Sequence, residues 1–248
     1  MVKIIALGGG NKRRTKFSVE ALEVDKEIVK LSGILSPKLL FIPTASSDLK
    51  EYIEDVKSHF KTLGCRVDSL PLLNGGLSQK QIENKILNSD IVYVGGGNTL
   101  KMMRLWRRLG VDIILKKAAK KGIVLSGVSA GAICWFKFGN SDSRRDKNPN
   151  ADLIKIRGLN LLPLLFCPHF DAGSDRRGDL KKMMKKTSGV AIAVANCCAI
   201  EIIDNRYRII SSNDGASAYK AFWKNNEYYQ EKIEKSFEFS DLKELLNK

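Results

Sequence analysis

The chain predicts an α/β protein built on a mostly parallel sheet, and two features of its 248 residues say so. Short β-rich runs alternate with longer amphipathic runs, the pattern of strands returned to one sheet by helices that cover its faces. Several of the short runs, IVYV and IVLS among them, are apolar without interruption. Central parallel strands need that composition because both of their faces are buried.

Taken in order, residues 3–7 (KIIAL) read as the first strand and residues 15–32 as the helix that follows it. KLLFIP then leads into the amphipathic run SDLKEYIEDVKSHFKTL, RVDSL into SQKQIENKIL, and DIVYV into NTLKMMRLWRRL. IVLSG followed by SAGAICWF repeats the unit once more. After Gly139 the stretch NSDSRRDKNPNAD is polar and charged and reads as a long surface loop, a kind of segment that is often functional. LLPLLFCPHFD reads as a strand entering a loop, GDLKKMMKKT as a helix, and IAVANCCAIEII with YRIISS as a strand pair. The run AYKAFWKNNEYYQEKI reads as a hairpin turning at Asn225 and Asn226, and SDLKELLNK as a short helix capped by Ser240. With no repeat, linker or low-complexity stretch, residues 1–248 are expected to form a single domain.

Composition narrows the function. The net charge of +15 invites a polyanion, yet the lysines are spread through helical patterns such as KKAAKK and no nucleic-acid signature accompanies them. No specific nucleic-acid partner is expected. Nor is a membrane: no apolar run approaches the roughly 20 residues that span a bilayer. The opening MVKIIALGGG lacks the apolar stretch of a signal peptide, which makes the cytoplasm the expected location. The five cysteines contain no C-x-x-C pair, so reduced buried thiols are expected and no metal site.

Chemistry concentrates at GVSAGA. Ser129 stands in a G-x-S-x-G pattern between an apolar strand and a helical run, the setting of a serine held on a sharp strand-to-helix turn. The flanking glycines remove side chains that would collide with neighbouring backbone, and the helix that follows is expected to turn its free N–H groups toward developing negative charge. A serine nucleophile needs a base, and the chain has two histidines. His59 lies in an amphipathic helix, whereas His169, in PHFD, lies at a strand end where α/β proteins build their sites. An oxyanion hole needs unengaged backbone N–H groups. Ala130 supplies one by following the serine, and the loop Gly95-Gly96-Gly97-Asn98 can supply the second. The other glycine run, Gly8-Gly9-Gly10, fails as a dinucleotide fingerprint because Arg13 occupies the place of its last glycine. It reads as the rim of the same cleft.

VGGGNT, GVSAGA and PHFD, in this order and at these intervals, resemble the serine peptidases related to dipeptidase E (aspartyl dipeptidase) and cyanophycinase. The resemblance runs from the first strand through AYKAFW. It implies the flavodoxin-like three-layer sandwich of class I glutamine amidotransferases, with a serine where those cousins carry cysteine. It further implies Ser129 as nucleophile, His169 as base, Gly97 and Ala130 as oxyanion donors, a small peptide as substrate, and no metal or organic cofactor. At the position where relatives often carry a carboxylate to orient the histidine, this chain has Asn196, which can fix the imidazole tautomer without adding charge; Glu201 and Asp171 are the other candidates for that duty. Asp142 matches an aspartate near the substrate in the family. Arg144, Arg145, Arg176 and Arg177 fall in the two loops expected to border the site, with Arg177 taken as the substrate-binding one. A homodimer is compatible with the sequence, which carries no signal for or against it.

Three rival readings share parts of this pattern. An α/β-hydrolase esterase would order its triad serine, acid, histidine; a glutaminase subunit would carry cysteine at the turn; a non-catalytic relic would be consistent with Asn196.

Overall fold

The computed structural model describes residues 1–10, 21–171 and 174–248, with side chains from Arg176 onward in the last range. Its strands make two mixed sheets. The larger has a parallel core of β1 (Lys3–Leu7), β5 (Val124–Val128), β4 (Ile91–Val94), β2 (Lys38–Ile42) and β3 (Arg66–Ser69), in that spatial order. On the far side of β1 it continues antiparallel through β10 (Cys198–Ile203), β11 (Arg206–Ser211) and β14 (Ser240–Asp241). The smaller sheet runs β13 (Glu227–Ile233), β12 (Ala218–Lys224), β9 (Val190–Val194), β8 (Leu162–Cys167), β6 (Phe136–Ser141), β7 (Ile154–Arg157), and in it only β6–β8 and β8–β9 are parallel.

The expectation of a mostly parallel sheet is therefore corrected. The strand-helix alternation ends at β5, and beyond it strands mostly follow one another through turns and loops; short connections produce antiparallel neighbours, whereas parallel ones need a crossover.

Within the parallel core the strand period of two sorts side chains to opposite faces. Ile4, Ala6, Leu40, Ile42, Val92 and Val94 pack toward α3 (Gln79–Leu87), α4 (Thr99–Leu109) and α5 (Val111–Lys121). Ile5, Leu7, Leu39, Phe41, Ile91 and Tyr93 pack toward α1 (Leu22–Leu31) and α2 (Lys50–Thr62). Each of the Val, Leu, Ile and Phe side chains among them, fully buried, contributes about 1.5–3 kcal/mol relative to exposure. The carboxyl ends of β1, β4 and β5 consequently lie on one edge and deliver Gly8–Gly10, Gly95–Gly97 and Ser129 to the same region.

Four expectations need adjustment. The helix foreseen in SAGAICWF is the single turn α6 (Ala130–Ile133), after which the chain enters β6. IAVANCCAIEII is two strands: β9 belongs to the smaller sheet and β10 to the larger, so the chain changes sheets at residues 195–197. The last two helices are α7 (Ser174–Lys185) and α8 (Leu242–Leu246), and α8 is capped by Asp241, whose carboxylate accepts from Lys243 N at 2.8 Å, while Ser240 pairs in β14. The helical run foreseen from Thr15 begins outside the described residues, as does Arg13, and is seen from Leu22. The hairpin forms as foreseen, with Asn225 and Asn226 at φ 51° and 64°, the left-handed pair that suits a two-residue turn. No described helix is long and apolar enough to cross a membrane.

Candidate active site

Ser129 follows β5 with φ 55° and ψ −110°, a backbone region that L-residues avoid at a cost of order 1–3 kcal/mol. The surroundings enforce it. A Cβ on Gly127 would run into the carbonyls of Gly131 and Val94, and one on Gly131 into those of Val94 and Gly95, so the turn closes only with glycine at both places. The Ser129 N–H donates to Leu7 O at 3.1 Å. The dipole expected from a following helix is not available, because a single turn, α6, has almost no aligned length; individual N–H groups remain.

His169 stands at the start of the turn after β8, at φ 52°. Its Nε2 lies 2.8 Å from Ser129 Oγ and its Nδ1 2.7 Å from Asn196 Oδ1. An amide oxygen only accepts. Nδ1 therefore carries the proton, Nε2 presents its lone pair, and the serine hydroxyl donates to it. Of the three residues considered for orienting the imidazole, Asn196 is the one in contact with it. Glu201 is buried and held by Arg208 Nε at 2.6 Å, and Asp171 bonds to the Asn196 main chain at 2.9 Å.

Three successive carbonyls, of Leu7 at the end of β1 and of the first two glycines after it, hold the three turns together. Leu7 O accepts from Ser129 N at 3.1 Å, Gly8 O from His169 N at 3.1 Å, and Gly9 O from Cys197 N at 2.8 Å. A Cβ on Gly9 would strike Asn196 Oδ1 and the His169 ring. Sequence reasoning placed this run at the rim; its backbone is the bracket on which the serine, histidine and asparagine are mounted.

The glycine loop after β4 abuts the serine, since a Cβ on Gly96 would lie 3.6 Å from Ser129 Cβ. Gly97 has φ 137° and leaves no space for a side chain against Ala45 O, while Asn98 N donates to that same carbonyl at 2.7 Å. Among the described residues, no group accepts from the N–H of Gly97 or of Ala130. Asn98 caps α4 through Oδ1 and its Nδ2 donates to Ser143 O and Asp146 Oδ2, tying this loop to the polar loop after β6.

Of the arginines foreseen at the border, Arg176 is the buried one. Its Nη2 donates to Asp142 Oδ2 at 2.9 Å and its Nη1 to Asn140 Oδ1 at 3.0 Å. Arg177 is exposed, its guanidinium 5.1 Å from the Phe170 ring centre and 5.7 Å from that of Tyr219. Arg145 bonds within its own loop, to Ala151 O, and Arg144 is exposed. Two adjacent arginines at the start of a helix carry no local signal for which one turns inward. The second histidine is engaged elsewhere: His59 Nε2 meets the buried Asp25 carboxylate at 2.8 Å, between α1 and α2.

Burial holds the His169 imidazolium below its usual range, and the nearby Arg176 guanidinium pushes the same way; the Asn196 hydrogen bond and the carboxylates of Asp142 and Asp171 oppose them. A neutral imidazole facing a serine hydroxyl can accept its proton. All five cysteines are buried, with no disulfide between them, and among the described residues no cluster of potential metal ligands occurs.

Residues 4–210 match peptidase family S51. The chain belongs to that family and is a serine-type peptidase, a hydrolase. An uncharacterized peptidase of Bacillus subtilis (strain 168), YgaJ, is 36% identical over 231 residues, which are 92% of this chain and 95% of the relative. Peptidase E of Nostoc sp. is 28% identical over 150 residues, covering 58% of this chain and 57% of that protein. The crystal structure of a peptidase from an acI-B1 Actinobacterium superposes with a TM-score of 0.67 at 15% identity, covering 97% of each chain, a likeness of fold. The S51 match begins in β1 and reaches β11, so it takes in every element that delivers a residue to the site.

Proposed function

We propose that this S51 peptidase hydrolyses small peptides through an acyl-enzyme on Ser129. Ser129 Oγ attacks the scissile carbonyl as His169 Nε2 takes its proton; the tetrahedral oxyanion is received by the N–H groups of Gly97 and Ala130. His169 then protonates the departing amine, and a water molecule, activated by the same imidazole, releases the acid. Asn196 keeps the imidazole in the productive tautomer. Asp142 and Arg177 are the side chains we assign to substrate contact. The continuous run of hydrogen bonds from Ser129 Oγ through the His169 ring to Asn196 Oδ1, at 2.8 and 2.7 Å, carries the reading.

The architecture supports a finer assignment. Numbered from β2, the parallel strands run 2-1-3-4 with β1 in the fifth place, a circularly permuted match that supports the flavodoxin-like reading. One apolar cluster joins Ile4 and Val92 of the larger sheet to Phe166 and Ile192 of the smaller, as expected of residues 1–248 folding as one unit.

The test is a dipeptide and amide library assayed with wild type and Ser129→Ala, alongside labelling by a fluorophosphonate. Ser129→Ala is expected to lose about a thousandfold or more in kcat and all labelling. Peptide turnover that survives the substitution refutes the nucleophile assignment, and a wild type that neither labels nor turns over any peptide refutes the catalytic reading.

A further inference from the structure

A carboxylate third member of a serine triad has two separable duties: it accepts from Nδ1–H and so fixes the tautomer, and its charge stabilises the imidazolium formed during attack. Asn196 can perform the first and not the second. The cost is larger here because Arg176 already disfavours the charged ring. Where, then, is the missing negative charge?

Three hydrogen bonds fix the turn after β8, one to the first glycine run and two to the end of β9 and the segment where the chain changes sheets. His169 N donates to Gly8 O, Phe170 N to Val194 O at 3.1 Å, and Asn196 N to Asp171 Oδ1 at 2.9 Å. Phe170 is fully buried between them and fixes the turn. Asp171 is thus placed directly behind the asparagine that holds the imidazole. Of the carboxylates near His169, Asp142 is paired with Arg176 at 2.9 Å. No cation among the described residues pairs with Asp171.

We propose that Asp171 is the positioning residue that completes the site: it anchors the Asn196 main chain so that Oδ1 meets His169, and supplies the fixed negative charge that Asn196 lacks. The duties that one carboxylate performs in a Ser-His-Asp site are divided between Asn196 and Asp171. This assignment rests on the Ser129–His169 reading above. It gives Asp171 no proton to carry and no contact with substrate. Its exposed position means the charge acts partly through solvent, so its effect is smaller than that of a buried triad acid.

Asp171→Asn keeps an acceptor of the same shape and removes the charge, whereas Asp171→Ala removes both. The imidazole of His169 is followed by NMR titration without substrate, the His59 signals being identified by His59→Gln. With Asp171→Asn the His169 titration is expected to move to lower pH, because one stabilising charge is lost while Arg176 still opposes the imidazolium and only Asp142 and neutral Asn196 remain to favour it. On a peptide that the library identifies as a substrate, kcat is expected to fall about 10-fold with Asp171→Asn and about 100-fold with Asp171→Ala, with KM nearly unchanged and partial recovery in Asp171→Glu. Unchanged titration and unchanged kcat in Asp171→Asn overturn the proposal. So does an equal loss in the Asn and Ala variants with the titration unmoved, which marks a structural role. The titration needs neither turnover nor a nucleophile, so a shift in a protein that neither labels nor turns over any peptide refutes the catalytic reading while still showing that the Asp171 charge reaches the ring, and failure of the one is told apart from failure of the other.

Discussion

The backbone of Ser129 allows a stability measurement to test the geometry of the site without any substrate. At φ 55° and ψ −110° the residue occupies territory open to glycine, and holding a side chain there costs of order 1–3 kcal/mol. Ser129→Gly relieves that strain, and Ser129→Ala keeps it. Both lose the hydroxyl and its 2.8 Å bond to His169, so that loss cancels in the comparison. Against the relief stands the greater freedom of glycine in the unfolded chain, about 0.4–1 kcal/mol. The glycine variant is therefore expected to be the more stable of the two by about 1 kcal/mol, or about 2 °C in Tm for a chain of this length. Urea unfolding and thermal melts of the two proteins side by side read the difference, and neither should react with a fluorophosphonate. A glycine variant less stable than the alanine one refutes the strained turn, and with it the reason for the surrounding glycines.

Two further predictions follow from the same bracket and ring. Gly9→Ala places a methyl against Asn196 Oδ1 and the His169 ring; breaking that hydrogen bond to a group that becomes charged costs about 1.5–3 kcal/mol, so kcat/KM should fall roughly 10- to 100-fold. Gly10→Ala, which meets nothing within 4 Å, should behave as wild type, and steady-state rates with a melt of each variant check the pair. Because burial keeps His169 below its usual value of 6.5, the base stays neutral as pH falls through 6.5, and the acid limb of kcat/KM should lie below that pH. The sign for stability follows from the same depression: the unfolded chain binds the proton more readily than the native one, so the contribution of His169 is full above 6.5 and is lost as pH falls from there through the folded value. Comparing urea unfolding across this window in wild type and His169→Gln isolates it.

How far the chain could be read depended on whether a residue's surroundings are local. Through β5 each strand except the edge strand β3 alternates its two buried faces and each helix shows a polar side, so Ile4 and Ile5 reach different cores and the period is legible. Beyond Ser129 both signals fail together. Cys134, Trp135 and Phe136 are all fully buried, and a run with no polar face reads equally well as helix or strand; the chain makes one helical turn and then a strand. In IAVANCCAIEII every apolar residue before Ile203 is buried, so nothing announces the change of sheet except Asn196 and a Cys197 at φ 57°. Ser129 and His169 stood out because their types are scarce in their settings.

What holds them had no such mark. Leu7, Gly8 and Gly9 act through carbonyl oxygens, which every residue possesses, and only the three partners they meet make them special. Those partners come from positions 129, 169 and 197, each at the start of a different excursion of the chain. Consecutive peptides of an extended segment point their carbonyls in opposing directions, so three turns can be gathered on three neighbouring residues only if they approach from different sides. Close approach of that kind excludes side chains: a Cβ on Gly8 would meet the carbonyls of Val194 and Ala195, and one on Gly9 the His169–Asn196 pair. The glycines that looked like a failed nucleotide loop are thus required by the convergence of the other three turns, and their meaning lies in where those turns end.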